Sequence, residues 1–225
     1  MSAVRRRIPY LPALDGLRGI ALAGVVLYHY TLLLPAEVGV PGWAQHAGPL
    51  ALGVELFFVM SGALITSLLV AEQRQSAQIS LRNFYTRRSR RLGPALLAVL
   101  GLMVVLTLGW QGQGIDAPLG AHPLVALIAV SGFCGNWILF RVDGGLGWLG
   151  PAWSLGVEEQ FYLTWPVALR ALLRRGATRV RVHLVLAVAT LSTVVVSIIV
   201  YRTVGGFSYY ASPTQLPCIL VGVAL

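Results

Sequence analysis

Apolar runs of about 20 residues recur along this chain, and they limit its fold more than any other feature. A run of that length crosses the hydrocarbon core of a bilayer as one α-helix. The sequence is 56% hydrophobic and 11% charged, whereas a soluble domain has about 25% charged residues. Only helices and closed barrels satisfy their backbone in lipid. We therefore predict an all-α, polytopic transmembrane helical bundle with about six to seven apolar segments.

Arginine clusters predict how the chain is oriented. The net charge is +9, and all seventeen basic residues are arginine. Because cytoplasmic loops are rich in basic residues, Arg5, Arg6 and Arg7 predict a cytoplasmic N-terminus. Clustering beside apolar runs favours anionic lipids and ligands over nucleic acid. We expect an integral protein of the bacterial inner membrane.

The segment 122–140 raises a conflict with this orientation. If it crosses fully, the arginines at 170–181 lie outside, against the charge rule. Either the segment is re-entrant or held within the protein on the outer side, or the rule fails there. Its glycines and polar residues, such as Asn136, favour the first explanation. The preceding span is predicted over 93–110, with Pro94 in its first turn.

The first apolar run, 13–34, carries Asp15, Arg18 and His29. Ionisable residues inside a membrane helix are costly and usually face a protein interior or a cavity. Arg18 and His29 are eleven residues apart, which places them on nearly the same helix face, about 16 Å apart along the axis. Asp15 is spaced to pair with Arg18. A snorkelling Arg18 and a structural, hydrogen-bonded His29 are the alternative.

Carboxylates are also found in the apolar segments, where each costs at least about 2.5 kcal/mol. Together with Arg18 and His29 they predict a buried polar site shared between helices. Structural ion pairing between spans is the alternative, and a proton pathway would use the same residue types. Four of the eight acidic residues are in such segments: Asp15, Glu55, Glu158 and Glu159.

The two neighbouring glutamates are predicted to have different roles, because adjacent helical residues point about 100° apart. Glu158 shares a face with Ser154 and Tyr162, each four residues away. Glu159 lies nearer the apolar faces of the helix. We predict that Glu158 is the site carboxylate and that Glu159 is a structural partner, for example of an arginine.

The run FYTRRSRRLGP places Arg87, Arg88 and Arg91 beside a span. Arginine forks bind phosphate groups bidentately. The alternative is a topogenic segment that contacts anionic lipid.

Four short motifs that follow one another along the chain together resemble the membrane acyltransferase 3 family. Arg18 and His29 fit the family's arginine–ten residues–histidine pattern, and the resemblance covers residues 11 to about 170. Near the end, Gln215 and Pro217 precede Gly222 where the family often has arginine and aspartate. We expect one transmembrane domain over 1–225, incomplete at its C-terminal end. The motifs are LDGLRGIALAGVVLYHY, GVELFFVMSGALI, FYTRRSRRLGP and PAWSLGVEEQFYLTWP.

This resemblance implies transfer of an acyl group, usually acetyl, from acyl-CoA to a hydroxyl of a carbohydrate or glycosylated molecule. The residues fit such a reaction: we expect His29 as base or transient acyl carrier, Glu158 or Glu159 as its orienting carboxylate with Glu158 preferred, and Arg18 on a donor phosphate or on the thioester carbonyl. Arg87, Arg88 and Arg91 would bind the donor phosphates. No metal or cofactor is expected besides acyl-CoA as co-substrate. The acceptor or structural polar positions would be Asp15, Glu55, Ser61, Trp153, Ser154, Glu159 and Tyr162.

A proton-coupled secondary transporter or exporter is the alternative function. It explains the intramembrane charges through proton coupling. It does not explain the arginine run beside a span, and it predicts an internal repeat that the sequence does not show.

Overall fold

The computed structural model describes residues 12–32, 48–110, 117–139, 145–204 and 209–224. These ranges are helical and contain no strand, which confirms the all-α class. Their helices are α1 Pro12–Leu32, α2 Gly53–Ser76, α3 Leu81–Leu108, α4 Pro123–Ser131, α5 Gly135–Ile138, α6 Trp153–Arg174, α7 Arg179–Val204 and α8 Ser212–Ala224, with 3₁₀ helices at Gly48–Leu52 and Gly147–Ala152.

Within the described ranges, three stretches are long and apolar enough to cross a membrane: Gly48–Ser76, Leu81–Leu108 and Val180–Thr203. α1 and α6 have 21 and 22 residues, the length of a span, but carry ionisable side chains. An integral membrane protein is supported, whereas the predicted six to seven spans are not confirmed. The N-terminal arginines at 5–7 lie outside the described residues, so the orientation stays a prediction.

The chain forms two compact units, unit 1 with Met1–Ala77 and Pro217–Leu225, and unit 2 with Gln78–Leu216. Each is described by itself below. The prediction of one domain over 1–225 stays a prediction.

Glycines allow the helices of unit 1 to approach closely. At Gly53 the backbone of α2 lies against Ala21 of α1, where a Cβ would be 2.5 Å from the Ala21 carbonyl oxygen. Gly62 of α2 lies against the carbonyl of Ile219, and Gly222 of α8 lies against the carbonyl of Val59. Small residues at such crossings are typical of membrane helix pairs.

The third predicted span begins earlier than expected, at Leu81 rather than Gly93. Ser80 caps the helix, since its side chain accepts a hydrogen bond from the Asn83 backbone N–H. Pro94 is therefore inside α3 and not in its first turn. The whole arginine run is helical, so its side chains project in fixed directions from one rigid element.

In unit 2, α3 and α6 are antiparallel. Arg88 of α3 contacts Glu159 of α6. About one turn earlier on α3, the Tyr85 hydroxyl donates to the Leu163 carbonyl, which is one turn later on α6, at 2.8 Å. The arginines at the start of α3 and those at the end of α6 therefore lie at the same end of unit 2. This is the arrangement that the charge rule requires.

The segment 122–140 does not cross as one helix. α4 has nine residues, about 14 Å, which is less than half of a bilayer core. A turn follows in which Phe133 adopts a left-handed φ of 55°, and α5 comes next. Since α3 and α6 are antiparallel, the chain between them returns to the end at which it left α3. Of the two explanations left open by the sequence, the structure favours the first.

Candidate active site

In unit 1, Asp15 and Arg18 form the local ion pair that their spacing predicts. Arg18 Nη1 is 3.7 Å from Asp15 Oδ1, and the two side chains are 32% and 50% exposed. An exposed pair of this kind contributes little to stability. Its effect is to hold the guanidinium near the start of α1.

His29 lies on the same helix, which is unbroken between the two residues. Its Nδ1 is 2.8 Å from the Val25 carbonyl oxygen. A carbonyl only accepts, so Nδ1 carries the proton, and in the neutral ring the lone pair is on Nε2. Tyr28 packs edge-on against the imidazole, with 5.7 Å between ring centroids. The half-buried ring is thus held in one tautomer with Nε2 as its basic atom.

Two further predicted residues of unit 1 lie on α2. Glu55 is in the first turn of the helix and half-buried, whereas Ser61 is buried, next to the close crossing at Gly62. Both are polar groups in the largely apolar first half of the helix. The surroundings of Ser61 suit a structural role.

In unit 2, Glu159 has the arginine partner that the sequence predicts. Arg88 donates through Nε and Nη2 to Glu159 Oε1, with Nε at 2.7 Å. The Glu159 side chain is 8% exposed and that of Arg88 22%. Removing one member of such a pair leaves a buried charge, so the pair fixes α3 against α6.

Glu158 is oriented by Tyr162 on the same face of α6. The Tyr162 hydroxyl donates to Glu158 Oε1 at 2.6 Å. The guanidinium of Arg88 lies over the face of the Tyr162 ring, with Cζ 3.5 Å from the ring centroid. Tyr162 is buried and Glu158 is half-buried. Both glutamates are therefore held, one by a cation and the other by a phenol.

The remaining predicted residues of α6 lie at its start. Ser154 donates to the Pro151 carbonyl at 3.3 Å, a contact within its own turn. Trp153 is buried and packs edge-on against Tyr209 and Tyr210, at 5.3 and 5.2 Å. These contacts give both residues a structural setting.

The arginine run divides into two groups. Arg87 and Arg91 are exposed on α3, whereas Arg88 is half-buried against α6. Among the described residues, no group of three histidine, cysteine, aspartate or glutamate side chains is placed to hold a metal ion.

A family model described as an acyltransferase domain matches residues 11–225. The chain belongs to the acyltransferase 3 family. It is similar to the O-acetyltransferase OatA of Staphylococcus aureus strains NCTC 8325 / PS 47 and COL, each 34% identical over 224 residues, which is 96% of this chain and 34% of the relative. The chain thus spans about one third of the length of these curated relatives. No solved structure matches significantly.

This acyltransferase 3 chain also contains a polar network that the sequence analysis missed. Asn136 Nδ2 donates to Ser212 Oγ at 2.9 Å, Ser212 Oγ donates to Gln160 Oε1 at 2.5 Å, and Gln160 Nε2 donates back to Asn136 Oδ1 at 3.0 Å. This closed ring joins α5, α6 and α8. Gln160 also donates to the Phe133 carbonyl at 2.7 Å, which supports the turn before α5. The sequence signal for this network was a polar residue within or beside each of three apolar segments, since such residues need hydrogen-bond partners inside the protein.

The structure brings together only part of the predicted constellation of this family member. Arg88, Glu158, Glu159 and Tyr162 meet in unit 2, whereas Arg18 and His29 belong to unit 1. The juxtaposition of His29 with Glu158 stays a prediction.

Proposed function

We propose that this protein transfers an acyl group, typically acetyl, from acyl-CoA to a hydroxyl of a carbohydrate or glycosylated acceptor. Family membership and the O-acetyltransferase relatives support acyl transfer. They favour an enzyme over the transporter alternative. The acceptor class follows from the family resemblance, and the CoA donor is argued from the arginines described below.

The observation that carries the proposal is the tautomer of His29. With Nδ1–H committed to the Val25 carbonyl, Nε2 is available as a base or nucleophile near neutral pH. Substitution at position 29 tests this role.

Two routes balance the reaction. In the first, Nε2 takes the proton of the acceptor hydroxyl as its oxygen attacks the thioester carbonyl; the C–S bond breaks, and the imidazolium returns the proton to the CoA thiolate. In the second, Nε2 attacks the thioester carbonyl and the C–S bond breaks, which leaves an acyl-imidazolium and the CoA thiolate; the hydroxyl oxygen then attacks the acyl carbon, its proton passes to the thiolate, and the imidazole is regenerated. Arg18 lies about 16 Å from His29 along the same unbroken helix, too far to contact the reacting carbonyl, so in either route its role is to bind a phosphate group of the donor. Glu158 is the carboxylate predicted from the sequence to orient the charged imidazole and stabilise it.

The donor is assigned to the basic end of unit 2. Acyl-CoA carries several phosphate groups, and arginine forks bind phosphate with charge-assisted hydrogen bonds. Arg87 and Arg91 are exposed and lie at this end, together with the arginines at the C-terminal end of α6. The charge rule places this end in the cytoplasm, on the inner face of the bacterial inner membrane.

Release of CoA tests the function directly. Purified protein in detergent or lipid discs is incubated with acetyl-CoA and a panel of saccharides, and free thiol is measured against time. We expect acceptor-dependent thiol release. Thiol release that no saccharide stimulates would contradict the assigned acceptor class, and no release at all would contradict the donor.

We expect Arg87→Ala with Arg91→Ala to raise the KM for acetyl-CoA tenfold or more and to leave the acceptor KM nearly unchanged. Each lost phosphate contact costs roughly 1.5–3 kcal/mol. Lysine at both positions should restore affinity only in part, because an ammonium lacks the bidentate fork. Equal changes in the KM for acetyl-CoA and the KM for the acceptor would indicate that these arginines set the membrane topology and do not bind the donor.

Glutamine substitutions at the two glutamates should have different effects, one on stability and the other on activity. Glu159→Gln leaves the Arg88 charge without a carboxylate, a loss of about 3–5 kcal/mol for a buried pair, so membrane abundance and thermal stability should fall. Glu158→Gln can still accept from Tyr162, so it should be as abundant as the wild type but slow. Abundance and CoA release are measured for both variants. A stable but inactive Glu159→Gln beside an active Glu158→Gln would reverse the assignment.

A further inference from the structure

Arg88 is enclosed by protein groups on two sides. Its guanidinium donates through Nε and Nη2 to one carboxylate oxygen of Glu159. The same group lies 3.5 Å above the Tyr162 ring centroid. An edge and a face of the guanidinium are thus occupied by protein, which leaves it poorly suited to phosphate.

Tyr162 connects this cation to the second glutamate. Its ring is 4% exposed, so its hydroxyl needs an internal partner. That partner is Glu158 Oε1, at 2.6 Å. A short contact between a phenol and a carboxylate is a strong, directional hydrogen bond. The carboxylate of Glu158 is therefore oriented by a ring that Arg88 holds in place.

The position of the cation also affects the strength of that bond. A guanidinium over an aromatic face is attracted by the ring quadrupole. It also draws electron density from the ring, and groups that polarise one another in series strengthen each hydrogen bond. Arg88 thus makes the Tyr162 hydroxyl a better donor to Glu158.

We propose that Arg88 is a positioning residue that acts through Tyr162 on Glu158, and not a ligand of the donor phosphates. This inference rests on the proposed function, in which Glu158 is the carboxylate of the site. The arginine run then has two roles, since Arg87 and Arg91 bind the donor whereas Arg88 orients the carboxylate.

The contact itself can be tested without activity. 3-Fluorotyrosine is incorporated at position 162, and its ¹⁹F resonance is recorded in detergent. We expect Arg88→Lys and Glu158→Gln each to move the resonance, because the first removes the planar group above the ring and the second weakens the acceptor. Arg90→Ala, two residues away and exposed, is the matched control and should leave it in place. An unmoved resonance in Arg88→Lys would overturn the proposal.

The kinetic test separates positioning from donor binding. We expect Arg88→Lys, which keeps a charge beside Glu159, to lower kcat about tenfold with little change in the KM for acetyl-CoA, a loss on the scale of one charge-assisted hydrogen bond. Arg87→Ala should change KM instead. If Arg88 acts through Tyr162, Arg88→Lys should cost little more in a Tyr162→Phe background, where the hydroxyl is already absent.

Three kinetic results would overturn the proposal: a rise in acetyl-CoA KM in Arg88→Lys like that in Arg87→Ala, an unchanged kcat, or full additivity with Tyr162→Phe. Arg88→Met with Glu159→Gln serves as a second variant, because it removes both charges of the pair together. It should show the same loss of kcat. If the wild type releases no CoA, the proposed function fails, while the fluorine shift still decides whether Arg88 holds Tyr162.

Discussion

We expect replacement of His29 with alanine to abolish acyl transfer while the protein still accumulates in the membrane. Loss of a positioned acid–base group costs about 10²–10⁴-fold in rate, and loss of an acyl carrier removes the route entirely. The side chain makes one hydrogen bond within its own helix, to Val25, so its removal should little affect folding. CoA release and membrane abundance are measured in parallel.

Two controls sharpen this result. Asparagine at position 29 supplies an N–H for the Val25 carbonyl but no base, so His29→Asn should be as inactive as the alanine variant. His183→Ala, at an exposed position on α7, should retain activity. Wild-type turnover in His29→Asn would show that His29 is neither the base nor the acyl carrier. Mass spectrometry of protein incubated with acetyl-CoA alone distinguishes the routes, because only an acyl carrier retains the added acetyl mass.

Substitution at either glycine of the α2–α8 crossing should prevent unit 1 from packing. A Cβ at Gly62 overlaps the carbonyl oxygen of Ile219, and a Cβ at Gly222 overlaps that of Val59. Backbone atoms cannot move aside as a flexible side chain does, so the helices must separate. Overpacking of this kind costs about 1–3 kcal/mol or more. We expect Gly62→Ala and Gly222→Ala to reduce abundance and lower the apparent Tm in detergent.

The matched control is a glycine of a membrane helix with open space around it. No heavy atom lies within 4 Å of a Cβ built at Gly101 of α3, apart from its own neighbours and helix backbone. Gly101→Ala should be as abundant as the wild type. If Gly62→Ala behaves like Gly101→Ala, the close crossing does not exist in the folded protein.

Sequence by itself determined the features that depend on local spacing or composition. Apolar length predicts membrane helices because a lipid core leaves the backbone no partner outside the helix. The contacts of Asp15 with Arg18 and of Glu158 with Tyr162 follow from three- and four-residue spacings on a helix of 3.6 residues per turn. The ordered motifs predicted the family, which the match over 11–225 confirms.

Tertiary structure decided the features that depend on how one helix meets another. Three arginines of one run have the same chemistry, and only the rotation of α3 against α6 determines that Arg88 faces Glu159. The antiparallel pairing places both basic clusters at one end, and the turn at 132–134 divides a segment whose length alone suits a span. Such contacts depend on the packing of whole helices, and the spacing within one segment does not encode the rotation of its neighbour.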